Sequence, residues 1–153
     1  MLSTWFNPVT TGWFLAVVLA LVALWRPTIG RMALGGLFLL AGLVANLIIL
    51  LVDSSLFVEV GRHSFLGVYR WFFETVVAAA PAVWGVAVIM FETAAGVLTL
   101  FRRYAKVGLV GIALFTVAIL PFGQETLPNV LLAMTALWLA RTHDVSPPVA
   151  AAR

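Results

Sequence analysis

The chain contains no cysteine among its 153 residues and only two histidines. The lack of cysteine excludes disulfides, thiol catalysis, thiolate metal sites and c-type haem attachment. With so few histidines, a multi-histidine metal or haem site within one chain is not expected. His63 could at most supply one ligand to a site shared with another chain. The sequence therefore predicts no metal centre and no catalytic residues of these kinds.

Charge is also scarce in this sequence. Charged residues make up 10% of the chain, against about 25% in an average soluble domain. Hydrophobic residues make up 63%, and the mean hydropathy is +1.12. The net charge of +3 comes from cations that occur singly or in pairs, whereas a nucleic-acid surface needs clustered cations. The composition excludes soluble, disordered and nucleic-acid-binding classes, and it predicts an all-α polytopic membrane helix bundle.

Long apolar runs predict five membrane-spanning helices within a single membrane domain, residues 1–153. A span needs about 20 mostly apolar residues. Charged turns or turns rich in proline and glycine separate the runs, and the N-terminus lacks the basic stretch of a cleavable signal peptide. Residues 142–153 are interpreted as a mobile tail. The predicted spans are residues 9–25, 32–52, 81–101, 103–120 and 128–140.

The distribution of basic residues predicts the orientation of these spans. Loops rich in Lys and Arg stay on the cytoplasmic side of the membrane. With five spans, Arg62 and Arg70 fall on one side. The other side receives Arg26, Arg31, Arg102, Arg103, Lys106, Arg141 and Arg153. We therefore expect a prokaryotic plasma-membrane protein with its N-terminus outside and its C-terminus in the cytoplasm.

The long outer connection between the second and third spans is predicted to contain an interfacial helix over residues 64–78. His63, Gly67, Arg70 and Glu74 recur at steps of four, three and four, which places them on one helical face. Arg70 and Glu74 can pair across one turn. Two interpretations follow: a helix that lies on the lipid surface with a solvated charge pair, or a lid whose charged face looks down onto polar residues of the bundle.

Glu92 is the most informative residue because it falls near the middle of the third span. A charged acid at that depth costs about 2.5–3.5 kcal/mol. Small residues surround it at helical spacing, so another helix can approach closely and Glu92 should point into the bundle. The residue either fixes packing through an interhelical hydrogen bond or acts as a proton-bearing or ligand-contacting acid.

Other polar residues are predicted to gather above Glu92. Gly35, Gly42, Asn46 and Asp53 fall on one face of the second span at 100° per residue, and Asn129 opens the fifth span. An outward-opening pocket with an acid at its floor suits a quinone or a lipid head group. A tightly packed bundle with satisfied polar residues is the alternative. The candidate pocket residues are Glu92, Asn46, Asp53, Asn129, Arg70 and Glu74.

Residues 31–140, about 110 of the 153, resemble the DoxX-like family of small four-helix membrane proteins. The opening run GRMALGGLFLLAG (residues 30–42) carries the resemblance, followed by a long outer loop. A proline-led span then contains FETAAGVL (residues 91–98). A basic turn, a glycine-rich helix and a last helix opening with Asn129 complete the pattern. The resemblance implies four DoxX-like spans, to which this chain adds an N-terminal span.

The resemblance also implies a place in a quinone-linked redox assembly, because some relatives are membrane subunits of redox complexes such as a thiosulfate:quinone oxidoreductase. The missing cysteine excludes thiosulfate chemistry through a thiol here. Three functions remain open: a non-catalytic subunit or assembly factor of a larger membrane complex, a quinone- or lipid-binding subunit of an oxidoreductase, and a small oligomeric transporter. An independent enzyme is the least favoured. Expected partners are the bilayer and other membrane subunits or further copies of the chain.

Overall fold

The computed structural model describes residues 8–142, which are helical with no strand in that range. The long helices are α1 (Pro8–Trp25), α2 (Pro27–Leu40), α6 (Pro81–Leu100), α7 (Ala105–Ala118) and α8 (Pro128–Thr142). A π-helical segment, Ala41–Asn46, joins α2 directly to α3 (Leu47–Asp53). Two short helices follow, α4 (Leu56–Arg62) and α5 (Gly67–Phe72), and α5 continues into a second π-helical segment, Phe73–Val77.

Three helical stretches are long and apolar enough to cross a membrane: Pro27–Asp53, Pro81–Leu100 and Ala105–Phe122. The apolar helix Thr10–Trp25 is shorter. Large apolar side chains on the outward faces are exposed, as a lipid-facing surface requires. Examples are Phe14, Leu21, Met90, Leu114 and Met134. The protein is thus an all-helical bundle compatible with a membrane location.

The long helices form a closed ring in which α2 packs on α6, α6 on α7, α7 on α8, and α1 on both α8 and α2. The core contains many alanines, among them Ala95, Ala113, Ala133 and Ala136. Small residues let helix backbones approach closely where lipid removes the hydrophobic drive for association. This close packing fixes the relative positions of α2, α6 and α7, which carry the candidate site.

The largest differences between the helices and the sequence prediction lie at three places. The second helix begins at Pro27 rather than residue 32, because proline suits the first turn of a helix. The outer helix begins at Gly67 rather than residue 64. The helix Leu56–Arg62 was not predicted at all. The predicted tail from residue 143 onward lies outside the described residues.

Arg31 was expected in a cytoplasmic turn but lies inside α2, where it caps α6. Its Nη1 donates to the carbonyl oxygens of Thr99 at 2.6 Å and Leu100 at 3.1 Å. The last four carbonyls of a helix have no intrahelical donor, and a cation there also favours the helix dipole. Arg31 thereby ties the end of α6 to the start of α2.

Replacing Arg31 with methionine is expected to lower the free energy of unfolding by about 1 kcal/mol. The substitution keeps the apolar stem but removes the donors to Thr99 and Leu100. Thermal unfolding in detergent, followed by circular dichroism, measures the effect. Arg26→Met is the matched control, because Arg26 is an exposed cation near the same end of the bundle. Equal melting temperatures for the two variants would contradict the capping role.

Candidate functional site

A hydrogen-bonded pair of polar side chains lies between the second and third predicted spans. Asn46 Nδ2 donates to Glu92 Oε2 at 2.5 Å. Glu92 is 5% exposed and shares the buried face of α6 with Gly85, Ala95 and Gly96. The prediction that Glu92 points into the bundle, on a face of small residues, is confirmed.

Gly42 brings the two helices close enough for this contact. A Cβ atom on Gly42 would lie 3.0 Å from Thr93 Oγ1 and 3.1 Å from Glu92 Cβ. The π-helical turn Ala41–Asn46 ends at Asn46, and π-helical turns inside longer helices occur frequently at functional sites. The backbones of the second span and α6 nearly touch at Gly42, one turn before Asn46. This close approach allows the short Asn46 side chain to reach Glu92.

The Asn46–Glu92 pair borders a cavity of about 710 Å³. Small-molecule pockets typically enclose about 300–1,000 Å³ and are mostly apolar with a few polar groups. This cavity lies among the π-helical segment Ala41–Asn46, α3, α4, α5, the middle of α6 and the end of α7. Its lining consists of Asn46, Ile49, Leu56, Phe57, Val60, Val68, Tyr69, Trp71, Phe72, Phe73, Val88, Glu92, Phe115, Ala118, Ile119, Phe122 and Thr126. The site therefore combines a large apolar volume with the Asn46–Glu92 pair and two further hydroxyl groups, those of Tyr69 and Thr126.

The wall nearest Glu92 is built from aromatic rings that hold one another in place. Phe115 stacks on Phe91 with ring centroids 5.6 Å apart and meets Phe38 edge to face at 5.9 Å. Phe73 meets Phe122 edge to face at 5.2 Å. Aromatic pairs at about 4.5–7 Å are favourable beyond their burial. The rings of this wall therefore support one another through mutual contacts.

Two hydrogen bonds anchor residues 65–72 over the cavity, one to the end of α7 and one to the 3-10 turn Leu120–Phe122 that follows it. Tyr69 Oη donates to the Ala118 carbonyl at 3.0 Å, and the Phe65 amide donates to the Pro121 carbonyl at 3.1 Å. Carbonyls at a helix C-terminus lack intrahelical donors and are free to accept. These bonds hold the apolar face of α5 against the bundle.

Asp53 and Asn129 do not reach Glu92, so the predicted convergence above it is not found for them. Asp53 is exposed, and its Oδ1 accepts a hydrogen bond from the Ser55 amide at 2.9 Å. The π-helical turn shifts the helical phase of every later residue, so a projection at 100° per residue fails beyond Asn46. Asn129 lies half-buried in the first turn of α8, outside the cavity lining.

Arg70 and Glu74 also lie outside the cavity, and both are exposed. Within residues 8–142 no ion pair joins them; the pairs are Arg62 with Glu59 at 3.0 Å and His63 with Glu59 at 3.9 Å. A solvated pair one turn apart gains only about 0.3–0.5 kcal/mol, which is too little to fix two mobile side chains. The lid interpretation is corrected accordingly: the aromatic face looks down onto the bundle and the charged face looks outward.

Helix α4 supplies cavity residues that the sequence reasoning missed. Phe57 packs over Gly85 of α6, and Gly61 lies directly beneath the ring of Phe73. The apolar spacing of Leu56, Phe57 and Val60 follows a helical period and could have been detected. The segment was instead treated as part of an irregular outer connection.

Chemically, the arrangement offers a hydrogen-bonding carboxyl group at the end of an apolar, aromatic chamber. Among the described residues 8–142 there is no cluster of three or more His, Cys, Asp or Glu suited to a metal ion. Glu92 and Asn46 are the two predicted site residues that the fold brings together. No family model matches this chain, and no curated protein and no solved structure matches it.

Proposed function

We propose that this chain is an integral membrane protein that binds an apolar small molecule of the bilayer, a quinone or a lipid, in the cavity beside Glu92. The observation that carries the proposal is a mostly apolar cavity of about 710 Å³ that borders the buried acid Glu92 and its half-buried partner Asn46. Binding sites for small molecules have this composition, with few polar groups that fix the ligand's orientation.

The proposal extends to membrane topology. Five spans, with the N-terminus outside and the C-terminus in the cytoplasm, follow from the positive-inside rule. In that orientation the cavity lies in the outer half of the membrane of a prokaryotic cell. The resemblance to the DoxX-like family supports a four-helix unit with an added first helix. Labelling of exposed single-cysteine variants from each side of the membrane tests the orientation, since the natural chain has no cysteine.

A role as a non-catalytic subunit or assembly factor is compatible with ligand binding. The chain is small, and the family resemblance includes membrane subunits of redox complexes. In such a complex this protein would hold the quinone or lipid, and a partner subunit would carry out any electron transfer. Extraction in mild detergent followed by native mass spectrometry distinguishes a subunit of fixed stoichiometry from a separate monomer, homo-oligomer or transporter.

Filling the cavity is expected to remove the bound molecule. Val88 lines the cavity one turn before Glu92, so Val88→Trp would occupy part of the ligand volume. The ratio of ligand-bound to ligand-free protein, measured by native mass spectrometry of the full chain, should fall about tenfold, which corresponds to about 1.4 kcal/mol of binding free energy. The retained mass in the unmodified protein also identifies the ligand class.

Val86→Trp is the matched control, since Val86 lies on the same helix with its side chain exposed outside the cavity lining. This variant should retain the ligand like the unmodified protein. Two results would overturn the proposal: no small molecule retained by the unmodified protein, or the same retention by both tryptophan variants.

A further inference from the structure

We infer that the polar end of the cavity selects an uncharged ligand with a hydroxyl group on an aromatic ring, and that this hydroxyl donates to the Glu92 carboxyl group. The inference rests on the proposed function, because it assumes that the cavity binds a small molecule. It goes further by separating phenol-like or quinol-like head groups from anionic lipid head groups.

The hydrogen-bond pattern supplies the first argument. Asn46 donates to one oxygen of Glu92, and within the described part of the chain no second hydrogen bond reaches this carboxyl group. Glu92 lines the cavity and is otherwise nearly buried. A carboxyl group keeps acceptor capacity for further donors in either protonation state. The Glu92 carboxyl group therefore lines the cavity with acceptor capacity that no described hydrogen bond beyond that from Asn46 uses.

The charge of the lining supplies the second argument. Glu92 is the one acidic residue among the lining residues described, and none of those residues is Lys, Arg or His. A carboxylate or phosphate head group would find no cation there and would lie beside another acid. Burying an unpaired charge in an apolar site costs much free energy and so lowers the affinity for such a ligand. The cavity therefore favours a neutral head group over the anionic head of a fatty acid or a phospholipid.

The aromatic wall supplies the third argument. Phe115 lines the cavity with Glu92, and its ring is fixed by Phe91 and Phe38. Phe73 and Phe122 form another edge-to-face pair in the same lining. A ligand ring can stack or meet these faces edge-on, which gives an aromatic head group an advantage over an aliphatic alcohol. A hydroxyl on such a ring would then be held beside the free acceptor of Glu92.

The test compares three probes with the full chain in detergent: 4-decylphenol, 4-decylanisole and decanoic acid. The methyl ether keeps the ring and tail of the phenol but cannot donate a hydrogen bond. We expect the apparent Kd of the unmodified protein, from titration by native mass spectrometry, to be about tenfold lower for the phenol than for the methyl ether. Decanoic acid should bind more weakly than either.

Glu92→Leu should abolish the preference for the phenol over the methyl ether, because the acceptor for the phenol hydroxyl is lost. Glu74→Leu is the control, because Glu74 is an exposed acid outside the cavity lining, and it should keep the preference. The probe comparison in the unmodified protein remains decisive if Glu92→Leu fails to fold.

Three results would overturn the inference. Equal affinity for the phenol and the methyl ether would mean that Glu92 accepts no hydrogen bond from the ligand head group. The cavity would still bind apolar ligands as proposed. Tightest binding of decanoic acid would mean that an anionic head group is accepted. Retention of none of the three probes would count against both this inference and the proposed function.

Discussion

Replacing Asn46 with leucine, with Glu92 retained, is expected to lower the free energy of unfolding by about 1–3 kcal/mol. The change removes the donor to Glu92 Oε2 and leaves a nearly buried carboxyl group without a protein partner. Leaving one member of a buried hydrogen-bonded pair unsatisfied costs the desolvation of that group, which is about 1–3 kcal/mol and more when it is charged. Asparagine and leucine are similar in size, so the loss of the bond dominates the effect.

The double variant separates this loss from a simple packing effect. Replacing both partners by apolar groups of similar shape is often nearly neutral, so Asn46→Leu combined with Glu92→Leu should recover most of the lost stability. Thermal unfolding in detergent of both single variants and the double variant gives the coupling energy. Additive effects would show that the two residues are not coupled. Asn129→Leu is the control, because Asn129 does not contact Glu92, and it should produce a smaller change.

The apolar helices and the burial of Glu92 followed from the sequence for clear physical reasons. Prolines at residues 81 and 128 open α6 and α8 as predicted, since proline fits the first turn. The small residues around Glu92 mark the face that packs against α2. Both signals are local, because they depend on residues within a few turns of one helix.

The rest of the site depends on features that a single helical period does not encode. The π-helical turn Ala41–Asn46 rotates Asp53 away from the face that carries Gly42 and Asn46. Arg31 was assigned to a charged turn that contains proline and glycine, yet it lies inside α2 and donates to carbonyl oxygens at the end of α6. Likewise, Phe57 and Tyr69 contribute to the cavity through contacts with distant helices. Sequence reasoning therefore located Glu92 and Asn46 but not the apolar and aromatic residues that line the cavity beside them.

Gly108 lies where α7 packs tightly against α6, and its replacement by alanine is expected to lower the free energy of unfolding by about 1–3 kcal/mol. A Cβ atom there would collide with the backbone nitrogen and the hydroxyl of Thr99, and would lie 2.7 Å from the Ala95 carbonyl oxygen. These are mostly backbone atoms of a packed helix, so relief requires the two helices to separate. Thermal unfolding in detergent measures the loss.

Gly111→Ala is the matched control on the same helix. Its Cβ would lie 3.6 Å from the Ala95 Cβ, which is ordinary contact, and alanine favours a helix over glycine by about 0.8–1.0 kcal/mol. This variant should be as stable as the natural protein or more stable. The two helices that meet at Gly108 also carry Glu92 and Phe115, which line the cavity. Gly108→Ala should therefore weaken retention of the proposed cavity ligand as well as lower stability. Equal stability of Gly108→Ala and Gly111→Ala would contradict the close approach of α6 and α7.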